Sequence, residues 1–166
     1  IERVFEINRN FRNEGISTQH NPEFTMLEFY WAYVDYQRLM TFTEELLSTV
    51  ATEVIGTTTF PFGEHTINMQ APFKRLSLRH AAADAASGRL GVTVTVEELR
   101  SLDSAVAIAK RLGVQMPKGG GAGKVASAIF ESLWEKDLIQ PTFVYDFPTE
   151  VSPLSKQKAD DPDTVE

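Results

Sequence analysis

The sequence predicts an α+β fold in which an antiparallel sheet carries helices. Residues 3–12 and 24–33 are rich in alternating apolar or aromatic side chains, which is typical of paired strands. Later segments repeat their apolar residues at spacings of three and four, which is typical of amphipathic helices. No internal repeat is present, and a chain of 166 residues fits one domain with a sizeable core.

The two N-terminal strands are predicted to form an antiparallel hairpin. The loop between them, residues 13–22, is rich in Asn, Gly and Ser. Loops of this length between paired strands are usually functional or disordered. The alternation in the first strand predicts one polar face and one buried face, the latter made of Phe5, Ile7 and Phe11.

Local signals predict the remaining elements. Asp35 is placed to cap a helix that runs to Ile55 and ends at Gly56. Thr95 and Glu98 have the spacing of a capping box. The other predicted elements are strands at residues 58–62 and 65–69 turned at Gly63, helices at 77–86, 104–112 and 124–136, and a strand at 142–147.

The charged segment 155–166 lacks apolar anchors in this interpretation, so we expect a mobile tail.

Composition excludes several classes of function. Without cysteine the chain forms no disulfide and has no thiolate metal site or cysteine nucleophile. A formal net charge of −7 argues against a general nucleic-acid-binding surface. There is no apolar run of about 18 residues and no secretory signal, so we expect no membrane span and a cytoplasmic location. His65 and His80 have no partner at metal-ligand spacing.

One face of the hairpin carries an unusual mixture of side chains. Alternate residues of the second strand project to the same face, and on one face they are a carboxylate, two aromatic rings and a methionine. This mixture suits neither a core nor a solvated face. The residues on the other face of this strand are apolar, which predicts an ordinary core face made of Leu27, Phe29 and Trp31. Two polar faces on adjacent strands predict the floor of a pocket, made of Asn8, Asn10 and Arg12 with Phe24, Met26, Glu28 and Tyr30.

The chemistry of this face suits a nucleotide and a cationic amino acid. Arg12 offers a planar fork of donors for a phosphate, and Phe24 offers a ring on which a base can stack. Glu28 can neutralise an ammonium group, and Tyr30 can accept a hydrogen bond from it. Singly, each residue fits an ordinary structural role, such as a surface ion pair or a core ring. Together on one face they favour a binding site.

Two segments in this region resemble motif 2 of class II aminoacyl-tRNA synthetases, in the bacterial lysyl form. They are Arg12-Asn-Glu-Gly15 and His20-Asn-Pro-Glu-Phe-Thr-Met-Leu-Glu28. Residues 138–143 and 148–154 resemble a later strand of the same catalytic domain. The resemblance covers the whole chain and is dense in residues 1–36 and 138–154. It implies that residues 1–154 are part of a class II catalytic domain, with motif 2 at about residues 3–33 and an antiparallel sheet flanked by helices.

The resemblance implies three groups of site residues. Arg12 would be the catalytic residue, because it would hold the α-phosphate of ATP. Gln19 stands where the family commonly has arginine, which weakens the expected contact with the outer phosphates. The other implied residues are Glu14, Asn21 and Phe24 at the adenine end, His20 near the outer phosphates, and Met26, Glu28 and Tyr30 at the lysine.

The implied activity is that of a lysine–tRNA ligase, with ATP, L-lysine and tRNA(Lys) as substrates and a homodimer as the working state. Mg2+ would bind with ATP, through carboxylates outside these 166 residues. The resemblance implies that the dimer-forming first motif, the third motif and the anticodon-binding barrel also lie outside these residues. We therefore expect the chain to be a catalytic-domain fragment that does not charge tRNA by itself.

Two alternatives remain open, and one motif is set aside. A synthetase paralogue that lysylates a translation elongation factor shares part of motif 2 but usually departs from Arg-Asn-Glu-Gly. A non-catalytic module would only bind lysine, a nucleotide or a partner.

The segment Lys118-Gly-Gly-Gly-Ala-Gly-Lys124 resembles a phosphate loop but lacks the first glycine, the Ser or Thr after the lysine, and a preceding strand. We interpret it as a link into a helix.

Overall fold

A computed structural model describes residues 1–13, 15–18 and 20–166. The chain divides into two compact units, Ile1–Leu39 and Met40–Glu166. Helices and small two-stranded sheets are mixed along it, which agrees with the predicted α+β class. Within the described part of the chain, no helix combines the length and apolarity needed to cross a bilayer.

The first unit is built on the predicted hairpin. Strands β1 (Arg3–Phe11) and β2 (Glu23–Trp31) pair antiparallel, as predicted. The second strand ends two residues earlier than expected, because Tyr33 adopts a left-handed conformation with φ of 64°. Asp35 caps the next helix, since its Oδ1 accepts the Arg38 N–H at 2.8 Å.

The predicted buried face of β1 is wrong for this structure. Phe5, Ile7 and Phe11 are 69%, 66% and 69% exposed. The alternation specifies which side chains share a face, but burial needs a second layer on that face. On this face Phe29 lies opposite Phe5 and Leu27 opposite Ile7, and these cross-strand neighbours leave Phe5 and Ile7 largely exposed.

Helix α1 (Tyr36–Ile55) leads into the second unit and ends at Gly56, whose φ is 83°. In the second unit α1 buries Glu44, which is only 3% exposed. Its carboxylate accepts hydrogen bonds from the Arg75 guanidinium at 3.2 and 3.3 Å and from the Phe73 N–H at 3.2 Å. The buried charge is therefore paired and hydrogen-bonded, as burial requires.

A small hairpin follows the helix. Strands β3 (Thr59–Phe62) and β4 (His65–Asn68) turn at Gly63, where φ is 58°, as predicted. The side chain of Gln140 binds β4 much as a neighbouring strand would. Its Oε1 accepts the Asn68 N–H at 3.0 Å, and its Nε2 donates to the Thr66 carbonyl at 2.8 Å.

Four helices form the main core of the second unit: α2 (Leu78–Leu90), α3 (Val96–Arg100), α4 (Leu102–Leu112) and α5 (Ala122–Leu133). The predicted capping box is confirmed. The Glu98 N–H donates to Thr95 Oγ1, and the Thr95 N–H donates to the Glu98 carboxylate. Small residues of α2 and α4 allow close packing on α5, around Ala82, Ala86, Ala105, Ala109, Ala126 and Ile129.

One strand pair was not predicted. Strand β5 (Lys74–Ser77) runs directly into α2 and pairs parallel with β6 (Thr142–Tyr145). The expectation of a purely antiparallel sheet is therefore wrong at this point. Parallel partners are joined by long crossovers, and here the helical core lies between the two strands in sequence.

The C-terminal segment is anchored, so the expectation of a tail without apolar contacts is wrong. Val165 is 2% exposed, and Gln157 forms a bridge with it. Asp161 receives a bidentate hydrogen bond from Arg100, at 3.0 and 2.6 Å, and a further bond from Thr164 Oγ1 at 2.7 Å. The mobility of residues 155–166 stays a prediction.

Candidate active site

The register of the first hairpin determines which side chains share the candidate site. Asn10 lies opposite Phe24, and Asn8 lies opposite Met26. Directly opposed residues in an antiparallel pair project to the same side of the sheet. The face predicted from parity is therefore confirmed, with Asn8 and Asn10 beside Phe24, Met26, Glu28 and Tyr30.

Arg12 and Phe24 meet at one end of this face. The Arg12 N–H donates to the Pro22 carbonyl at 2.9 Å, which extends the strand pairing past the end of β1. The guanidinium carbon lies 5.5 Å from the centroid of the Phe24 ring, a cation–π distance. A guanidinium fork and an aromatic ring are thus adjacent, which is a combination that suits a nucleotide.

The loop residue His20 is held by Ser17. The Ser17 N–H donates to the His20 carbonyl at 3.0 Å, and the His20 N–H donates to Ser17 Oγ at 3.1 Å. Ser17 Oγ also lies 2.9 Å from Nδ1 of the imidazole ring. Asn21 follows as an exposed residue, while Glu14 and Gln19 lie outside the described residues.

Glu28 and Tyr30 meet towards the other end of the face. The Tyr30 hydroxyl donates to Glu28 Oε1 at 3.3 Å, so its oxygen keeps a lone pair for another donor. The negative charge of Glu28 and this hydrogen bond raise the pKa of the Tyr30 phenol, with smaller contributions from desolvation and Glu6. Tyr30 is 63% exposed and Glu28 is half-buried, so a ligand from solvent can reach the Tyr30 side chain of this pair.

Comparison with known proteins shows the family to which this chain belongs. The family model for class II tRNA synthetases (D, K and N) matches residues 1–166. The chain belongs to this family. Its relatives include proteins named lysine–tRNA ligase from Actinobacillus pleuropneumoniae serotype 5b (strain L20), at 47% identity, and from Haemophilus influenzae (strain PittGG) and Pasteurella multocida (strain Pm70), each at 46%. Each alignment covers the whole chain and 32% of the relative, so the chain spans about a third of the length of these proteins.

Two contacts that support the candidate site were not predicted. Trp31 lies on the opposite face of the hairpin, with the Arg3 and Arg38 guanidinium carbons 4.0 and 5.1 Å from its ring centroid. Arg38 belongs to the first turn of α1, which is part of the first unit, so these contacts connect this turn to the back of the hairpin. The other missed contact is the Ser17–His20 turn. A serine three residues before a loop histidine was a usable signal, since short polar side chains often bond nearby backbone.

The glycine-rich segment lies in the second unit and has a structural role. The α5 N-terminus, where a phosphate loop would bind its ligand, receives the chain's own carboxylate. Glu150 Oε1 accepts the Gly121 N–H at 3.0 Å and the Lys124 N–H at 2.6 Å. A Cβ on Gly123 would come within 2.5 Å of the Pro148 Cβ, so glycine is needed for this close approach. The interpretation as a link into a helix is confirmed.

The described residues contain no group of three or more His, Asp or Glu side chains arranged to hold a metal ion. Mg2+ usually keeps several waters and binds through one or two carboxylates together with substrate phosphates. Arg12 and His20 offer N–H donors that suit phosphate oxygens, so these residues fit the anionic groups that accompany Mg2+ and not the ion itself.

Proposed function

We propose that this chain supplies the ATP- and lysine-facing hairpin of a lysine–tRNA ligase. The observation that carries the proposal is the pairing of two chemistries on one sheet face, Arg12 with Phe24 and Glu28 with Tyr30. Relatives at 45–47% identity that bear the name lysine–tRNA ligase support it. The complete enzyme would join lysine to ATP as lysyl-adenylate, release pyrophosphate, and transfer the lysyl group to tRNA(Lys).

At the nucleotide end, the lysine carboxylate attacks the α-phosphorus of ATP and pyrophosphate leaves. The nucleophile belongs to the substrate, so the protein contributes positioning and charge stabilisation. The Arg12 guanidinium would hold the α-phosphate oxygens, on which negative charge develops. Phe24 would stack on the adenine, with Glu14 and Asn21 at its edge. His20 would contact the outer phosphates.

At the amino-acid end, Glu28 would bind the lysine ε-ammonium, and Tyr30 would accept from it. The hydrogen bond between these two side chains fixes the carboxylate before lysine arrives, which lowers the ordering cost of binding. Met26 is half-buried between this pair and Phe24, where its unbranched side chain would contact the lysine methylenes.

The remaining expectations concern the complete enzyme. Mg2+ would bind with ATP and neutralise phosphate charge, through carboxylates outside this chain. The enzyme would act as a homodimer in the cytoplasm. The chain alone would not catalyse either step, because the third motif of the family would lie outside it.

The test uses a full-length synthetase that contains this 166-residue segment, referred to below as the whole synthetase. Lysine-dependent exchange of pyrophosphate into ATP is expected, followed by charging of tRNA(Lys). No exchange with lysine would overturn the proposal. Modification of a translation elongation factor in place of tRNA would favour the paralogue. Exchange by the isolated chain would contradict its expected inactivity.

A further inference from the structure

A second carboxylate lies opposite Glu28 on the candidate site face. The hairpin register pairs Glu6 of β1 directly with Glu28 of β2. Opposed residues in an antiparallel pair have Cβ atoms about 4.5–5.5 Å apart and project to the same side. The alternation in β1 places Glu6 on the polar side of this strand, but it does not show which residue of β2 lies opposite. The register makes it a neighbour of the group expected to bind lysine.

The hairpin does not neutralise this pair. Among the described residues, no salt bridge reaches Glu6 or Glu28. The nearby Arg9 projects to the other face and binds Glu23 at 3.4 Å. Like charges directly opposite each other destabilise a strand pair. A cation that enters between the two carboxylates would remove this repulsion.

The charge of Glu6 also acts at Tyr30. The pKa of the Tyr30 phenol is raised chiefly by Glu28 and to a smaller extent by Glu6. Two carboxylates and a phenol oxygen therefore face one region of the sheet. This set suits a primary ammonium group, which has three donors and no acceptor.

The position along the strand agrees with the orientation proposed for the substrate. Phe24 and Glu28 are four residues apart on β2, which corresponds to about 14 Å along an extended strand. Arg12 and Phe24 mark the nucleotide end of this distance, and Glu6 with Glu28 marks the other. A lysine whose carboxylate points towards the α-phosphate would extend its ammonium towards the pair.

We propose that Glu6 is a further specificity-determining residue, which shares the ε-ammonium of lysine with Glu28. The proposal rests on the proposed lysine–tRNA ligase function and adds a residue to its amino-acid site. Glu28 keeps the direct hydrogen bond with Tyr30. Glu6 supplies a second negative charge from the opposite strand, so that a neutral side chain of similar length would leave two carboxylates facing each other uncompensated.

The test measures lysine-dependent pyrophosphate exchange by the whole synthetase with Glu6→Gln. The KM for lysine is expected to rise about tenfold, the scale of one hydrogen bond to a charged group, while the KM for ATP changes less than twofold. Glu2→Gln is the matched control, because it removes the same charge from an exposed residue just before β1. It should leave both KM values unchanged.

Two further variants separate binding from structure. Glu6→Asp keeps the carboxylate, so its KM for lysine should lie closer to that of the unaltered enzyme than the glutamine variant does. In the double variant Glu6→Gln/Glu28→Gln, the two effects should not multiply, because both residues act on one ammonium.

Equal changes in the KM for lysine and for ATP, or no change in either, would overturn the role of Glu6 while lysine-dependent activity of the unaltered enzyme remains. Relief of the defect by raised Mg2+ instead of raised lysine would also overturn it, because the pair would then serve a divalent ion. If the unaltered enzyme shows no lysine-dependent exchange of pyrophosphate, the proposed function itself is wrong.

Discussion

Glu150 and Lys124 are 26 residues apart, yet the Glu150 carboxylate accepts the Lys124 backbone N–H at 2.6 Å. The same oxygen accepts the Gly121 N–H. Free N–H groups and the helix dipole make an N-terminus attractive to anions, and here the anion is a side chain of the protein. The contact connects α5 of the helical core to the segment that follows β6.

Glu150→Gln is expected to lower the free energy of unfolding by about 1 kcal/mol, and Glu150→Ala by about 2 kcal/mol. The first keeps an acceptor without the charge, and the second leaves both N–H groups without their partner. Urea unfolding of the chain measures the effect. Glu135→Ala, at an exposed glutamate beyond the end of α5, is the control and should change stability little.

Glu44→Ala is expected to destabilise the second unit by about 3–5 kcal/mol, because it leaves Arg75 and the Phe73 N–H without their buried acceptor. The measurement is again the free energy of unfolding in urea. Glu53→Ala removes an exposed glutamate from the same helix and serves as the control. A similar small loss in both variants would show that the Glu44–Arg75 pair contributes no more than a surface contact.

Asp161 is expected to make the free energy of unfolding depend on pH in the acidic range. Its hydrogen bond with Arg100, assisted by Thr164 and by the charges of Arg100 and Arg79, holds the pKa of this carboxyl well below its usual range. A carboxyl with a depressed folded-state pKa stabilises the protein above its unfolded pKa of about 3.9 and loses that contribution as pH falls towards the folded pKa.

The comparison of the unaltered chain with Asp161→Asn tests this dependence. At pH 7 the variant should be less stable by about 1.5–3 kcal/mol, the scale of hydrogen bonds to charged groups. The difference should shrink below about pH 4, as the unfolded state of the unaltered chain takes up the proton. Urea midpoints from pH 7 to pH 2.5 measure it. A difference that is constant across this range would contradict the assigned cause.

Phe24→Ala in the whole synthetase is expected to raise the KM for ATP by about 5- to 150-fold, corresponding to the loss of about 1–3 kcal/mol of base stacking. The KM for lysine should change much less, because Glu28 and Tyr30 keep their hydrogen bond. Phe62→Ala, at an exposed ring of the β3–β4 hairpin, is the matched control. Equal effects on ATP and lysine would indicate general damage to the hairpin.

Elements that depend on neighbouring residues were predictable from the sequence. The Asp35 cap, the Thr95–Glu98 capping box and the turn at Gly63 each rest on backbone geometry within a few residues. The strand β5 was missed because its partner β6 follows about 70 residues later. The burial of Val165 was missed for a similar reason, since its bridge with Gln157 depends on the path of the folded tail.

The candidate site also combines features that could be predicted from nearby residues with features that depend on distant ones. Parity within β2 grouped Phe24, Met26, Glu28 and Tyr30 correctly on one face. Parity does not give the alignment of one strand with another, so the pairing of Glu6 with Glu28 required the register. The exposure of Phe5 was equally beyond prediction, because alternation cannot say whether a second layer covers a face.

The side chain of Gln140 occupies backbone groups of β4 that a foreign strand would need. An amide side chain offers a donor and an acceptor in nearly the geometry of a peptide group, and it satisfies the Asn68 N–H and the Thr66 carbonyl together. Unprotected strand edges recruit other chains and promote aggregation. A foreign strand would therefore have to displace Gln140 before it could pair with these two groups of β4.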